Sequence, residues 1–93
     1  MFDETLQRMR DKIQTRQYVM TIHAEEEMSD DDLSINDIEQ AILTGEILER
    51  QKDRVTAENK YRVRGLTLEG NEVEIIAKLS PIGKLVIITV YIP

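Results

Sequence analysis

The stretch Lys60–Ile92, KYRVRGLTLEGNEVEIIAKLSPIGKLVIITVYI, sets the fold class. Its first part alternates, with Tyr61 and Val63 on one side and Arg62 and Arg64 on the other, which is the period of a strand with one buried face. After Gly65 the apolar residues are Leu66 and Leu68, a change of phase that predicts a bulge or bend at the glycine. Glu69, Gly70 and Asn71 read as a hairpin turn. Val73, Ile75, Ala77 and Leu79 then alternate with Glu72, Glu74, Ile76 and Lys78, and a turn over 80–84 holds Pro81 and Gly83. The closing run, LVIITVYI, is apolar along almost its whole length, so it must be covered on both faces or lie centrally in a sheet.

Upstream, Ile47–Gln51 is a short strand expected at an edge, and 52–59 is a polar connection. Everything earlier has helical character. Phe2, Leu6, Met9 and Ile13, spaced four, three and four, form the stripe of a first amphipathic helix. Arg8, Arg10, Lys12 and Arg16 on its outer side read as a solvated face or as contacts to RNA. A second helix starts at Thr21, whose hydroxyl suits an N-cap, and buries Ala24 and Met28. The third has Ser34 as N-cap with Asp37 three residues on, Leu33 as a staple against Ile38, and Ile35, Ile38, Ala41 and Ile42 as its stripe. Gly45 is expected to stop it as a left-handed residue. The elements predict one α+β domain over 1–93, with a helical layer over about 1–45 packed on one face of a four-stranded, mainly antiparallel sheet over about 46–93. Arg62, Arg64 and Lys78 fall on the uncovered face, the expected place for a ligand.

Charge narrows the choice of partner. The net charge is -6, but residues 1–50 carry thirteen acids against five bases, while 51–93 carry seven bases against five acids. Between Glu25 and Glu49 there are ten acids and no base, so one layer is strongly anionic. That balance weighs against a nucleic-acid partner. There is no cysteine, which excludes disulfides and thiolate metal sites. No run is long enough to span a membrane and the N-terminus lacks the pattern of a signal peptide, which places the expected location in the cytoplasm. Asp30, Asp31 and Asp32 lack the alternate spacing, glycine and distal glutamate of a calcium loop, so no metal or other cofactor is expected.

The only histidine, His23, lies on the first turn of the second helix, where unpaired N–H groups favour a neutral, proton-accepting imidazole. Two roles are open to it: a catalytic or ligand-binding group, or half of a helical pair with Glu27 one turn on. Arg62 and Arg64 likewise either bind a ligand or pair with neighbouring strand glutamates. Tyr61 and Tyr91 are edge or core residues with a polar tip.

The segments YVMTIHAEEEM (18–28), SINDIEQAILTGEILE (34–49), TLEGNEVEIIAKL (67–79) and VIITVYIP (86–93) together resemble the bacterial "domain of unknown function 4258" family. The most specific matches are Thr21, His23, Ala24 and Met28, the run from Asp37 to Ile47, and Ile88 to Tyr91. The resemblance implies a fold similar to RelE-like toxins of toxin–antitoxin pairs, an antitoxin protein as partner and RNA cleavage as the activity. In that chemistry His23 is the base, Arg62 and Arg64 spread the phosphate charge, and Tyr91 or Tyr61 donates a hydrogen bond. The sequence departs from the family at three places: Glu27 where an arginine is usual, the Asp30–Asp32 triplet where a base is common, and Glu74 where a second histidine is common. Each change adds negative charge and opposes a phosphate backbone. The competing reading is a non-catalytic protein-binding module on the same fold, in which the acidic helices dock a basic partner.

Overall fold

A computed structural model describes residues 1–93. In chain order the elements are α1 (Asp3–Gln14), β1 (Tyr18–Met20), α2 (Ile22–Asp30), α3 (Ile35–Thr44), β2 (Glu46–Lys52), β3 (Asn59–Leu66), β4 (Glu72–Leu79) and β5 (Leu85–Tyr91). The alternating C-terminal half makes an antiparallel meander, and the full sheet runs β1-β5-β4-β3-β2. One face of it packs against the helices. Val63, Val73, Ile75, Ala77, Leu85, Ile87 and Val90 form a single core with Met9 and Ile13 of α1, Ala24 and Met28 of α2, and Ile38, Ala41 and Ile42 of α3.

The sheet has five strands, not the expected four, and is mixed: three of its four pairings are antiparallel, as expected, and the fourth is parallel. The added strand, β1, runs parallel to β5 with Tyr18, Val19 and Met20 opposite Leu85, Val86 and Ile87. An apolar strand such as β5 is best paired along both edges, and three residues between two helices suffice to cover part of one. They are too few to show a period of two. Beyond β1, Thr21 at the N-cap of α2 and Glu27 within it complete the edge. The Thr21 N–H donates to the Ile87 carbonyl, the Thr21 hydroxyl donates to the Ile88 carbonyl, and the Glu27 carboxylate accepts the Val90 N–H.

Thr21 therefore has two tasks, because its hydroxyl oxygen also accepts the Ala24 N–H as the cap of α2. Thr21→Ala removes both bonds and is expected to cost about 1–2 kcal/mol, read as a lower urea midpoint at unchanged slope. Thr21→Ser should recover most of it.

The capping box of α3 is present, with Ser34 and Asp37 each accepting the other's backbone N–H. Its far end is closed by α1: the Arg10 guanidinium donates to the carbonyls of Ile42 and Gly45. A cation at a helix C-terminus is favourable there, and Arg10 is thereby an internal strut rather than part of a free basic face.

Both glycines on which the sequence reading placed a backbone role behave otherwise. Gly45 has φ -87° and ψ 178°, an extended conformation, so it is not a left-handed cap. Gly65 marks no bulge, because β3 and β4 stay in register through Arg64–Glu74, Gly65–Val73 and Leu66–Glu72. Val63, Gly65 and Thr67 continue the buried face while Leu66 and Leu68 are exposed, so the phase never changes. What requires glycine at both positions is the close approach of α3. A Cβ on Gly65 would lie 1.8 Å from the Ala41 carbonyl oxygen, and one on Gly45 would lie 2.5 Å from the same atom. The irregularities fall elsewhere, between Ile47 and Glu49 in β2 and opposite Ile76/Ala77 in β5.

Candidate functional site

On the uncovered face the register sets Glu49 of β2 beside Arg62 of β3, Arg64 of β3 beside Glu74 of β4, and Glu74 beside Tyr91 of β5. Four strands thus contribute to one polar cluster, and Glu74 is its centre. The Arg62 guanidinium donates to Glu74 Oε1 at 2.9 Å, Arg64 donates through two nitrogens to Glu74 Oε2 at 2.7 and 3.0 Å, and the Tyr91 hydroxyl donates to Glu74 Oε1. Arg62 also donates to Glu49 at 2.9 Å, and Gln51 donates to the same carboxylate. Only 4 % of the Glu74 side chain is exposed, and both of its carboxylate oxygens are taken up by the guanidinium groups and the Tyr91 hydroxyl.

The electrostatics follow from these contacts. The Tyr91 hydroxyl, followed by the two guanidinium groups, holds the Glu74 carboxyl down at about 2 despite its burial. Glu74 in turn pushes the Tyr91 phenol above its ordinary value, with burial acting in the same direction. Gln51 first, and then Arg62, lower Glu49. Hydrogen bonds to the carboxylates raise both arginines. Two cations face two carboxylates, so the cluster is close to neutral. At neutral pH Glu74 is a weak base and Tyr91 a weak acid, the reverse of what proton transfer needs.

Of the four residues singled out in the sequence, the structure brings together Arg62, Arg64 and Tyr91. His23 is not with them. Its side chain is 66 % exposed and pairs with Glu27 at 3.2 Å, while Glu27 is tied to the Val90 N–H. His23 thus sits in the helical pair that its spacing allowed. Tyr61 points to the helical side, where its ring meets Phe2 edge-on. Lys78 does lie on the open face and pairs with Glu58 of the β2–β3 connection at 2.7 Å.

Sequence reasoning took Glu74 as an obstacle to a ligand and missed it as the organiser of the face. The signal was available, since Arg62, Arg64 and Glu74 all occupy outward positions of adjacent strands. Glu27 carried no such signal, because its bond to β5 spans 63 residues of chain.

A different charge pattern covers α2. Glu25, Glu26, Asp30, Asp31 and Asp32 are all exposed, and none enters an ion pair. Ile22 and Val19 are exposed nearby in sequence. No group of histidine and acidic side chains has the geometry to hold a metal ion, and no helix is long and apolar enough to cross a membrane.

No curated protein and no solved structure matches the chain. The sequence pattern of one family does, from the end of β1 to the residue after β5. The chain belongs to the family described as domain of unknown function (DUF4258), which it matches over residues 20–92.

Proposed function

We propose that this protein is a non-catalytic, cytoplasmic binding module whose acidic α2 docks a basic protein partner. The observation that carries the reading is the unpaired acidic charge gathered along α2 and the turn after it, with no lysine or arginine among it. Arg62 and Arg64 are committed to Glu49 and Glu74, whereas the five acids Glu25, Glu26 and Asp30 to Asp32 face solvent without partners. An overall charge of -6 attracts a basic surface over long range and repels a polyphosphate.

A second reading has one observation in its favour. In it the domain is a RelE-like toxin that cleaves RNA and is restrained by an antitoxin. Arg62, Arg64 and Tyr91 converge on one spot of an open sheet face, and each arginine keeps N–H donors beyond those it gives to Glu74 and Glu49. Cleavage there requires the phosphate to displace the carboxylates from the guanidinium groups, and it would proceed without His23.

A photo-crosslinking residue at position 26 on α2, or at position 66 beside Arg64, separates the two. Cross-links from 26 to a basic protein are expected, with binding of that purified protein falling at least about ten-fold between about 50 and about 300 mM salt. Glu25→Lys with Glu26→Lys should abolish it. A labelled RNA incubated with the protein should stay full length. Cross-links to RNA from 66, together with RNA cleavage that Arg64→Ala removes, would overturn the binding-module reading in favour of the second.

A further inference from the structure

Leu33, between α2 and α3, divides two clefts of opposite character. On one side Met20, Met28, Leu33 and Ile35 line an apolar cleft of about 430 Å³ where β1, α2 and the start of α3 meet, with Glu25 and Ser29 completing it. On the other side Leu33 and Ile92 join Asp31, Asp32, Asp37 and Glu69 around a cleft of about 320 Å³. No base lines either one. Asp37 is occupied by the capping box and by the Leu68 N–H, but Asp31, Asp32 and Glu69 have no ion-pair partner.

Resting on the binding-module reading above, the geometry points to a recognition site for a basic amphipathic helix of another protein, with an apolar side chain in the Met20/Met28 cleft and a lysine or arginine in the carboxylate cleft. Side chains of different character must enter two clefts that share Leu33 as a wall. A helix presents an apolar stripe directly beside its basic flank, whereas neighbouring residues of a strand point to opposite sides. Thioethers suit the apolar half, since methionine adapts to the shape of its guest. The carboxylate half fixes the sign of the partner's charge and excludes a phosphate. A second copy of this chain is a poor occupant, because the apolar stripe of α1, its one helix with lysine or arginine, is already packed into its own core and each copy carries a net charge of -6.

The test uses the intact protein and two synthetic peptides of about twelve residues, one an amphipathic sequence of Leu, Lys and Arg and the other the same residues reordered so that no apolar stripe forms. Binding is followed by titration and by the methyl resonances of Met20 and Met28. The amphipathic peptide is expected to bind at least about ten-fold more tightly and to shift both methyl signals, and Ile35→Lys, at a partly exposed position on the apolar rim, should remove that preference. Asp31→Asn with Glu69→Gln should weaken both peptides. Equal binding of the two peptides, with the methyl signals unmoved and Ile35→Lys without effect, would overturn the two-cleft site while leaving acidic docking intact. Binding of neither peptide would remove both.

Discussion

Gly65→Ala is expected to destabilise the domain by at least about 3 kcal/mol, the largest effect among the four glycines of the chain. The added Cβ would lie 1.8 Å from the Ala41 carbonyl oxygen and 2.6 Å from its carbon. Both are backbone atoms in the middle of α3, so no rotamer change relieves the overlap; the helix must lift off the sheet. Ile38, Ala41 and Ile42, all fully buried, would lose packing with it. Against a typical domain stability of about 5–15 kcal/mol, that is a large share. Gly70→Ala is the control. Gly70 has φ +83° but nothing within 4 Å of a built Cβ, so the substitution carries only a conformational cost of about 1 kcal/mol. Urea unfolding of both variants decides the matter: equal midpoints would mean that α3 does not approach β3 as closely as described.

Glu74→Gln is expected to cost about 2–3 kcal/mol and to flatten the acid limb of stability. The amide leaves Arg62 with Glu49 alone and leaves Arg64 without its carboxylate. Partial exposure of both guanidinium groups keeps the cost below that of a fully buried pair. The sign of the pH dependence follows from the direction of the shift. In the folded protein the carboxyl is held at about 2, against an ordinary value of 4.5, so its stabilisation is complete above about pH 4.5 and is lost as pH falls toward 2. Asp53, held at about 2 by the Thr56 and Val55 N–H groups, adds to the same limb in both proteins. The difference between wild type and variant isolates Glu74: the gap in midpoint should be widest at neutral pH and should close between pH 4.5 and 2. A gap that stays constant with pH would show that Glu74 does not carry the charge interaction assigned to it.

What the sequence determined by itself were the features that depend on neighbours along the chain. The α+β class, the Thr21 and Ser34 caps, the hairpin at Gly70, the turn at Gly83 and the edge position of β2 all come from periods, hydrogen-bonding side chains and turn residues within a few positions of one another. The tertiary structure alone decided the features that depend on residues far apart. Whether Gly65 was a bend or a place for α3 to rest could not be read from β3, since the atom that forbids a side chain there belongs to Ala41. Tyr18–Met20 became a strand only because β5 offered it an edge. Arg62 and Arg64 carried the same charge in either reading, and their role turned on the side chain that the β3–β4 register set beside them. The Glu74 carboxylate, 2.7–2.9 Å from both guanidinium groups, gathers them into an internal ion cluster that neither strand shows by itself.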